Sequence, residues 1–266
     1  MSFQRILGRS LAVLLLLSTS GCAAFFGRAI SESDRSLALI HRDRAGLQLQ
    51  RGQVELAIRE YQNSIEINPY DPEAHFGYAE ALRRKGLREP AEDAFREAIS
   101  LDPAHHDAKI NLAVLMMETG RYDEAIARFD DLLRDPTFLN PARGYLNRGW
   151  AHYRAGRPDA ARRDLREAIV RDGALFQPHL NLGIVLYEQG ETVEAIAQFE
   201  RTLEILKPQT AEYARWAEAE AHFRLGQAYV KLAKLEDARD HLERAESSGR
   251  LGLWGSKARE YLELLD

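Results

Sequence analysis

Asn111, Asn147 and Asn181 stand at near-regular separations in a chain of 266 residues. An amide side chain donates and accepts hydrogen bonds together, so a row of asparagines can pair with a peptide backbone whatever that peptide's sequence. Apolar and aromatic residues accompany each one and can select side chains: Ile110, Val114 and Met117; Leu146, Trp150 and Tyr153; Leu180, Ile184 and Tyr187. The competing reading is that each asparagine bonds a neighbouring helix and the aromatics pack internally. A different chemistry attaches to Cys22, the single cysteine, which ends the apolar run LAVLLLLSTSGC. A lone thiol excludes an intramolecular disulfide framework and a cysteine-rich zinc cluster. The eight histidines raise the question of a metal. No Gly-rich phosphate loop, Gly-x-Ser-x-Gly or His-Glu-x-x-His accompanies them. The chain is therefore expected to be no enzyme and to use no cofactor or metal.

Bulk composition agrees with a folded protein: 45% hydrophobic and 29% charged residues. Net charge is −5, from 36 basic and 41 acidic residues, and residues 1–21 contain two of the basic ones, Arg5 and Arg9. The remainder is acidic and offers no electrostatic reason to bind nucleic acid.

The elements that carry these groups begin with a processing segment. Arg5 and Arg9 precede the apolar run Leu11 to Leu17, and Ser18, Thr19, Ser20 and Gly21 follow. That order is a secretory signal, and the run is far short of the roughly 20 residues of a membrane-spanning helix. Ser20-Gly21-Cys22 resembles the end of bacterial lipoprotein signals, in which small residues precede a cysteine that is acylated and becomes the mature N-terminus. The resemblance implies cleavage after residue 21, acyl chains on Cys22 and a lipid-membrane partner. Ala23 in place of Asp then implies the periplasmic face of the outer membrane. Thr19 departs from the pattern, where Leu is usual, and leaves open ordinary cleavage after Ser18-x-Ser20. Residues 22–37 show no period and are expected to form a tether.

From residue 38 the sequence repeats. A small residue recurs at Ala45, Ala79, Ala113, Gly149, Gly183 and Gly226. Seven residues later come Gly52, Gly86, Gly120, Gly156 and Gly190, with Ala233 in the sixth copy. Alanine recurs at Ala57, Ala91, Ala125, Ala161, Ala195 and Ala238, followed four residues on by Tyr61, Phe95, Phe129, Leu165, Phe199 and Leu242. All four series share the spacing 34, 34, 36, 34 and 43. This pattern resembles the tetratricopeptide repeat, an antiparallel pair of helices A and B. The expected architecture is all-α: a right-handed superhelical solenoid of six repeats over 38–248, at about 38–71, 72–105, 106–141, 142–175, 176–218 and 219–248. Nine extra residues before repeat six are expected to lengthen helix B of repeat five or helix A of repeat six. Leu253, Trp254, Ala258, Tyr261, Leu262 and Leu265 have helical spacing, so 249–266 is expected to cap the solenoid. His41, His75, His179 and His222 share the fourth position of their repeats, which reads as helix packing rather than metal ligation.

Members of that repeat family present positions 2, 5, 6, 9, 12 and 13 of helix A on the concave face. On that basis the asparagine and apolar residues named above form a peptide-binding groove centred on repeats three to five. Six such repeats behind a lipoprotein signal, with the stretch FLNPARGYLNRGWAHYRAGRPDAARRDLREAI, resemble the pilotin lipoproteins of type IV pilus systems. The resemblance implies a membrane-anchored scaffold whose protein partner is a secretin subunit or another envelope protein. The alternatives are a lipoprotein adaptor for peptidoglycan or envelope enzymes, and a component of polysaccharide export.

Overall fold

The computed structural model describes residues 30–207, 212–249 and 252–265. The signal 1–21 and Cys22 lie outside the described residues. Thirteen helices and no strand occur among the described residues. Six antiparallel pairs follow one another: α1 (Glu32–Gln50) with α2 (Val54–Ile67), α3 (Pro72–Arg84) with α4 (Arg88–Leu101), and α5 (His106–Glu118) with α6 (Tyr122–Arg134). Then come α7 (Pro141–Arg154) with α8 (Pro158–Arg171), α9 (Phe176–Glu188) with α10 (Thr192–Leu206), and α11 (Glu212–Lys231) with α12 (Leu235–Ser248). Helix α13 (Leu253–Glu263) closes the array. No described helix is long and apolar enough to cross a membrane.

Each A helix stops in the same way. Gly52, Gly86, Gly120, Gly156 and Gly190 have φ between +73° and +86°. The next N–H then reaches back five residues, as in Arg121 N to Met116 O at 2.8 Å and Glu191 N to Leu186 O at 2.9 Å. That bond satisfies a carbonyl the helix end would otherwise leave open and turns the chain into helix B. Ala233 adopts the same left-handed conformation, φ +58°, with a side chain that disfavours it. Space is open around Gly120, so only backbone conformation is at stake there. Gly120→Ala is expected to cost about 1–2 kcal/mol, and Ala233→Gly to gain roughly 0.5–1 kcal/mol after its entropic cost. Urea unfolding midpoints moving in opposite directions for the two variants would meet this expectation. Equal or parallel shifts would contradict it.

The close A–B approach is made by the small-residue series. A Cβ on Gly183 would stand 2.5 Å from Phe199 Cε1, and one on Gly226 would stand 2.6 Å from Leu242 Cγ. The alanine series, Ala57 to Ala238, is fully buried in all six copies.

Three features differ from or refine the sequence reading. Helix α1 starts at Glu32, inside the stretch 22–37 expected as tether. Ser31 accepts from Asp34 N at 3.0 Å, and Glu32 and Asp34 supply the acidic first turn that favours a helix start. The extra residues before repeat six lengthen α11, which has 20 residues where other A helices of repeats two to five have 13 or 14. Helix α13 buries Trp254 and Ala258 against Phe223, Leu242 and Ala245.

Successive repeats are also clasped by ion pairs. Arg121 holds Glu92 through two bonds, at 2.6 and 3.2 Å. At the equivalent positions two repeats later, Arg162 holds Glu191 at 2.6 Å, with the charges exchanged. Arg148 joins repeats three and four more deeply, contacting Asp164 at 2.7 Å and Asp130 at 2.6 Å.

Candidate partner-binding groove

On the face built by the A helices, a cavity of about 490 Å³ opens between α7, α9, α11 and α13. Its floor is Leu180 and Ile184, both nearly inaccessible in the core of repeats four to six. Leu146, Asn147 and Trp150 of α7 form one wall, and Phe176, Gln177 and Asn181 of α9 the next. Trp216 and Glu220 of α11 and Trp254 of α13 complete it. The chain has three tryptophans, and all three line this one cavity.

Asn147 and Asn181 both reach the cavity. Among the described residues, the amides of Asn111, Asn147 and Asn181 make no hydrogen bond to the rest of the chain, and none is sealed away from solvent. This disfavours the reading in which they bond a neighbouring helix. It leaves Asn147 and Asn181 with unused donors and acceptors at the mouth of an apolar cavity.

The other sequence-derived residues are distributed differently. Ile110 and Met117 are buried in the core of repeats two and three, and Val114 packs against it half-buried. Neither these nor Asn111 lines the cavity. Repeat three's apolar positions are thus part of the core. Tyr153 also stands outside the cavity. Its ring lies 4.8 Å from Trp150, and its hydroxyl donates to Glu188 at 2.6 Å, tying α7 to α9. Burial and that carboxylate push the Tyr153 hydroxyl up to about 12. Tyr187 is half-buried with Lys231 Nζ 4.7 Å above its ring. The cavity is thus centred on repeats four to six and the cap, not three to five. Trp216 and Trp254 come from outside the regular repeats, on the extension of α11 and on α13, whereas Glu220 holds the second position of repeat six, a concave-face position the expected groove left out. The spacing Trp216, Glu220, Phe223 does place them on one helical face.

Electrostatics at the cavity are local. Among the described residues Glu220 is its one ionisable lining residue, 6% exposed. Burial raises its pKa, and Arg224, 3.5 Å away, works against that rise. Arg224 and Lys257 lie over the Trp254 ring at 5.1 and 4.8 Å. A second cavity, of about 710 Å³, lies over repeats one and two and is lined mainly by Arg42, Asp43, Glu73, Glu80 and Arg84 with Tyr61 and Phe76.

The shared histidine position is used for packing in three repeats. His41 bonds Glu60 at 2.6 Å, His179 bonds Gln198 at 2.8 Å and His222 bonds His241 at 2.9 Å, each joining helix A to helix B. His75 instead contacts Pro69 O at 3.0 Å. Among the described residues no group of three or more His, Cys, Asp or Glu is placed to hold a metal.

Comparison with known proteins places this architecture. Residues 146–214 and 219–248 match family models of the tetratricopeptide repeat, and residues 45–137 match the middle TPR-like domain of cilia and flagella-associated protein 70. The chain is a tetratricopeptide-repeat protein. Its helices superpose on the structure of PilF of Pseudomonas aeruginosa with a TM-score of 0.68 at 16% identity, covering 86% of this chain and all of that one. They superpose on PilW, described as a widely conserved type IV pilus biogenesis factor, with a TM-score of 0.71 at 17% identity, covering 83% and 97%. In sequence, this tetratricopeptide-repeat chain is 25% identical over 196 residues to the TPR repeat-containing protein MJ1428 of Methanocaldococcus jannaschii, over 68% of its own length. It is 24% identical over 147 residues to the type IV pilus assembly protein PilF of Pseudomonas aeruginosa, over 55% of its own length. It spans 34% and 58% of those two relatives. Repeats of this kind are generally non-catalytic scaffolds for protein partners.

Proposed function

We propose that this protein is a membrane-anchored, non-catalytic scaffold that holds an extended segment of a protein partner in the groove of repeats four to six. The convergence of all three tryptophans with Asn147 and Asn181 on one apolar cavity carries the reading. Unpaired amides can hold a peptide backbone, and a Trp-lined cavity can anchor one large apolar side chain. Asn147→Ala combined with Asn181→Ala is expected to weaken partner capture by about 1–3 kcal/mol for each lost contact, with helicity and melting unchanged. A parallel loss of melting temperature would make the asparagines structural.

The finer reading is a pilotin: a lipoprotein that delivers a secretin subunit to the outer membrane and assists type IV pilus biogenesis. The likeness to PilF and PilW in fold, and the Ser20-Gly21-Cys22 signal, support it. A secretin subunit exposes strand edges before it oligomerises, and unpaired edges aggregate. A groove gives affinity and an acylated Cys22 gives location, so their failures should separate. Mass spectrometry of the native protein is expected to show loss of residues 1–21 and added lipid mass at Cys22. Cys22→Ser is expected to leave partner capture intact while heat-resistant secretin multimers decline. Unchanged multimers in a deletion strain would remove the pilotin reading and favour an adaptor for other envelope proteins.

A further inference from the structure

Behind the groove, α11 and α12 meet through two imidazoles. His222 Nδ1 and His241 Nδ1 are 2.9 Å apart, and His222 is 7% exposed. A hydrogen bond between two such nitrogens holds one proton: one ring donates and the other accepts. When both Nδ1 atoms carry protons, two donors face each other and the rings must part. A cavity of about 430 Å³ beside the pair gives them somewhere to go, and its charged lining is Glu200, Glu204 and Glu218 with Lys207 and Arg244. Helix α11 also carries Trp216 and Glu220 of the groove, six and two residues before His222 in sequence.

We propose that the His222–His241 pair makes the groove acid-sensitive: full protonation separates α11 from α12 and displaces Trp216 and Glu220 from the peptide site. This rests on the groove reading above. The charges facing the pair are Glu200 and Glu204 from α10, Lys207 just after it, Glu218 from α11, and Asp237, Asp240 and Arg244 from α12. On α13, Lys257 lies over the Trp254 ring and Arg259 pairs with Glu246 at 2.8 Å. Tyr229 stacks on His241 and donates to Glu200 at 3.3 Å, so movement of that ring is felt along α11.

Burial, the largest cause, takes His222 down to about 4 and lowers His241 too. An unfolded chain takes up these protons near the ordinary value of 6.5, before the folded one does. The unfolded or opened form therefore binds more protons between about 6.5 and 4. Stability of this contact is complete above that window and is lost as pH falls through it. The two protons enter in coupled steps that belong to the pair.

Repeat five supplies the control. There His179 bonds Gln198 across the same positions, at 2.8 Å. His241→Gln copies that pair and removes one titrating ring. The test uses the full chain in detergent, following tryptophan emission and acrylamide quenching from pH 7.5 to 4, with far-UV circular dichroism at each pH. The expected result is a change in emission within the window at constant helicity, moved at least one pH unit lower or abolished by His241→Gln and retained by Glu220→Gln. Capture of membrane proteins should fall at least about fivefold from pH 7.5 to 5 in the wild type, and less in His241→Gln. An emission change unaffected by His241→Gln, absent from the wild type, abolished by Glu220→Gln, or coincident with helix loss would overturn the proposal. Failure of the groove itself reads out separately, as capture at pH 7.5 that Trp216→Ala leaves unchanged.

Discussion

Phe199→Ala is expected to lower stability by about 3–5 kcal/mol, the range for truncating a fully buried phenylalanine. The Phe199 ring has no exposure and lies where a Cβ on Gly183 would meet it. No neighbouring side chain can relax into the space, because the A–B approach is already at its limit. In a repeat array, stability is close to a sum over units and their nearest interfaces. The loss should therefore concentrate in repeat five and its two borders. Hydrogen exchange is expected to accelerate in α9 and α10 first, while α3 and α4 keep their protection. Because α9 carries Leu180, Asn181 and Ile184, partner capture should fail at temperatures where the rest of the array stays helical. Uniform acceleration along the chain would mean the six repeats unfold as one unit.

The second large effect is on binding alone. Trp216 is 52% exposed, and its ring meets Trp254 edge-on at 6.3 Å. Its removal leaves no cavity in the core, so Trp216→Ala should change melting little. If the ring anchors a partner, its loss costs about 2 kcal/mol or more, roughly 30-fold in affinity. Trp150 differs, since it packs against the cores on both sides of it. Trp150→Ala is expected to lower both melting and capture. Leu264→Ala, at an exposed site away from the cavity, serves as control. Quantitative pull-down from solubilised membranes with each variant measures the difference. Capture that survives Trp216→Ala would place the partner elsewhere on the solenoid.

The repeat architecture was legible because it is enforced locally. A left-handed turn needs Gly, a close helix crossing needs Ala or Gly, and both requirements recur with the period of the structure. Gly52 to Gly190 and Ala57 to Ala238 therefore announced the helix pairs, and Ala233 announced itself as the exception. The groove was less legible because exposure depends on the next repeat. Ile110 and Leu180 hold the same position in their repeats, yet of the two Leu180 lines the groove cavity and Ile110 does not. What separates them lies outside both repeats: the cavity over Leu180 is walled by Trp216 of the lengthened α11 and Trp254 of α13. Glu220 and Trp254 reach the same cavity from different helices, and no local period connects them. The start of α1 could have been read from Ser31 and Asp34, since a cap and its acidic first turn are adjacent in sequence.

The exchanged clasps, Glu92 with Arg121 and Arg162 with Glu191, mean that backbone-equivalent modules are not freely transposable. Joining repeat five directly behind repeat two would set Glu92 against Glu191, and joining repeat three behind repeat four would set Arg162 against Arg121. Like charges at such close range repel, so each spliced order carries a mismatch that the native order avoids. The linear order of the modules is thus written in charge as well as in shape.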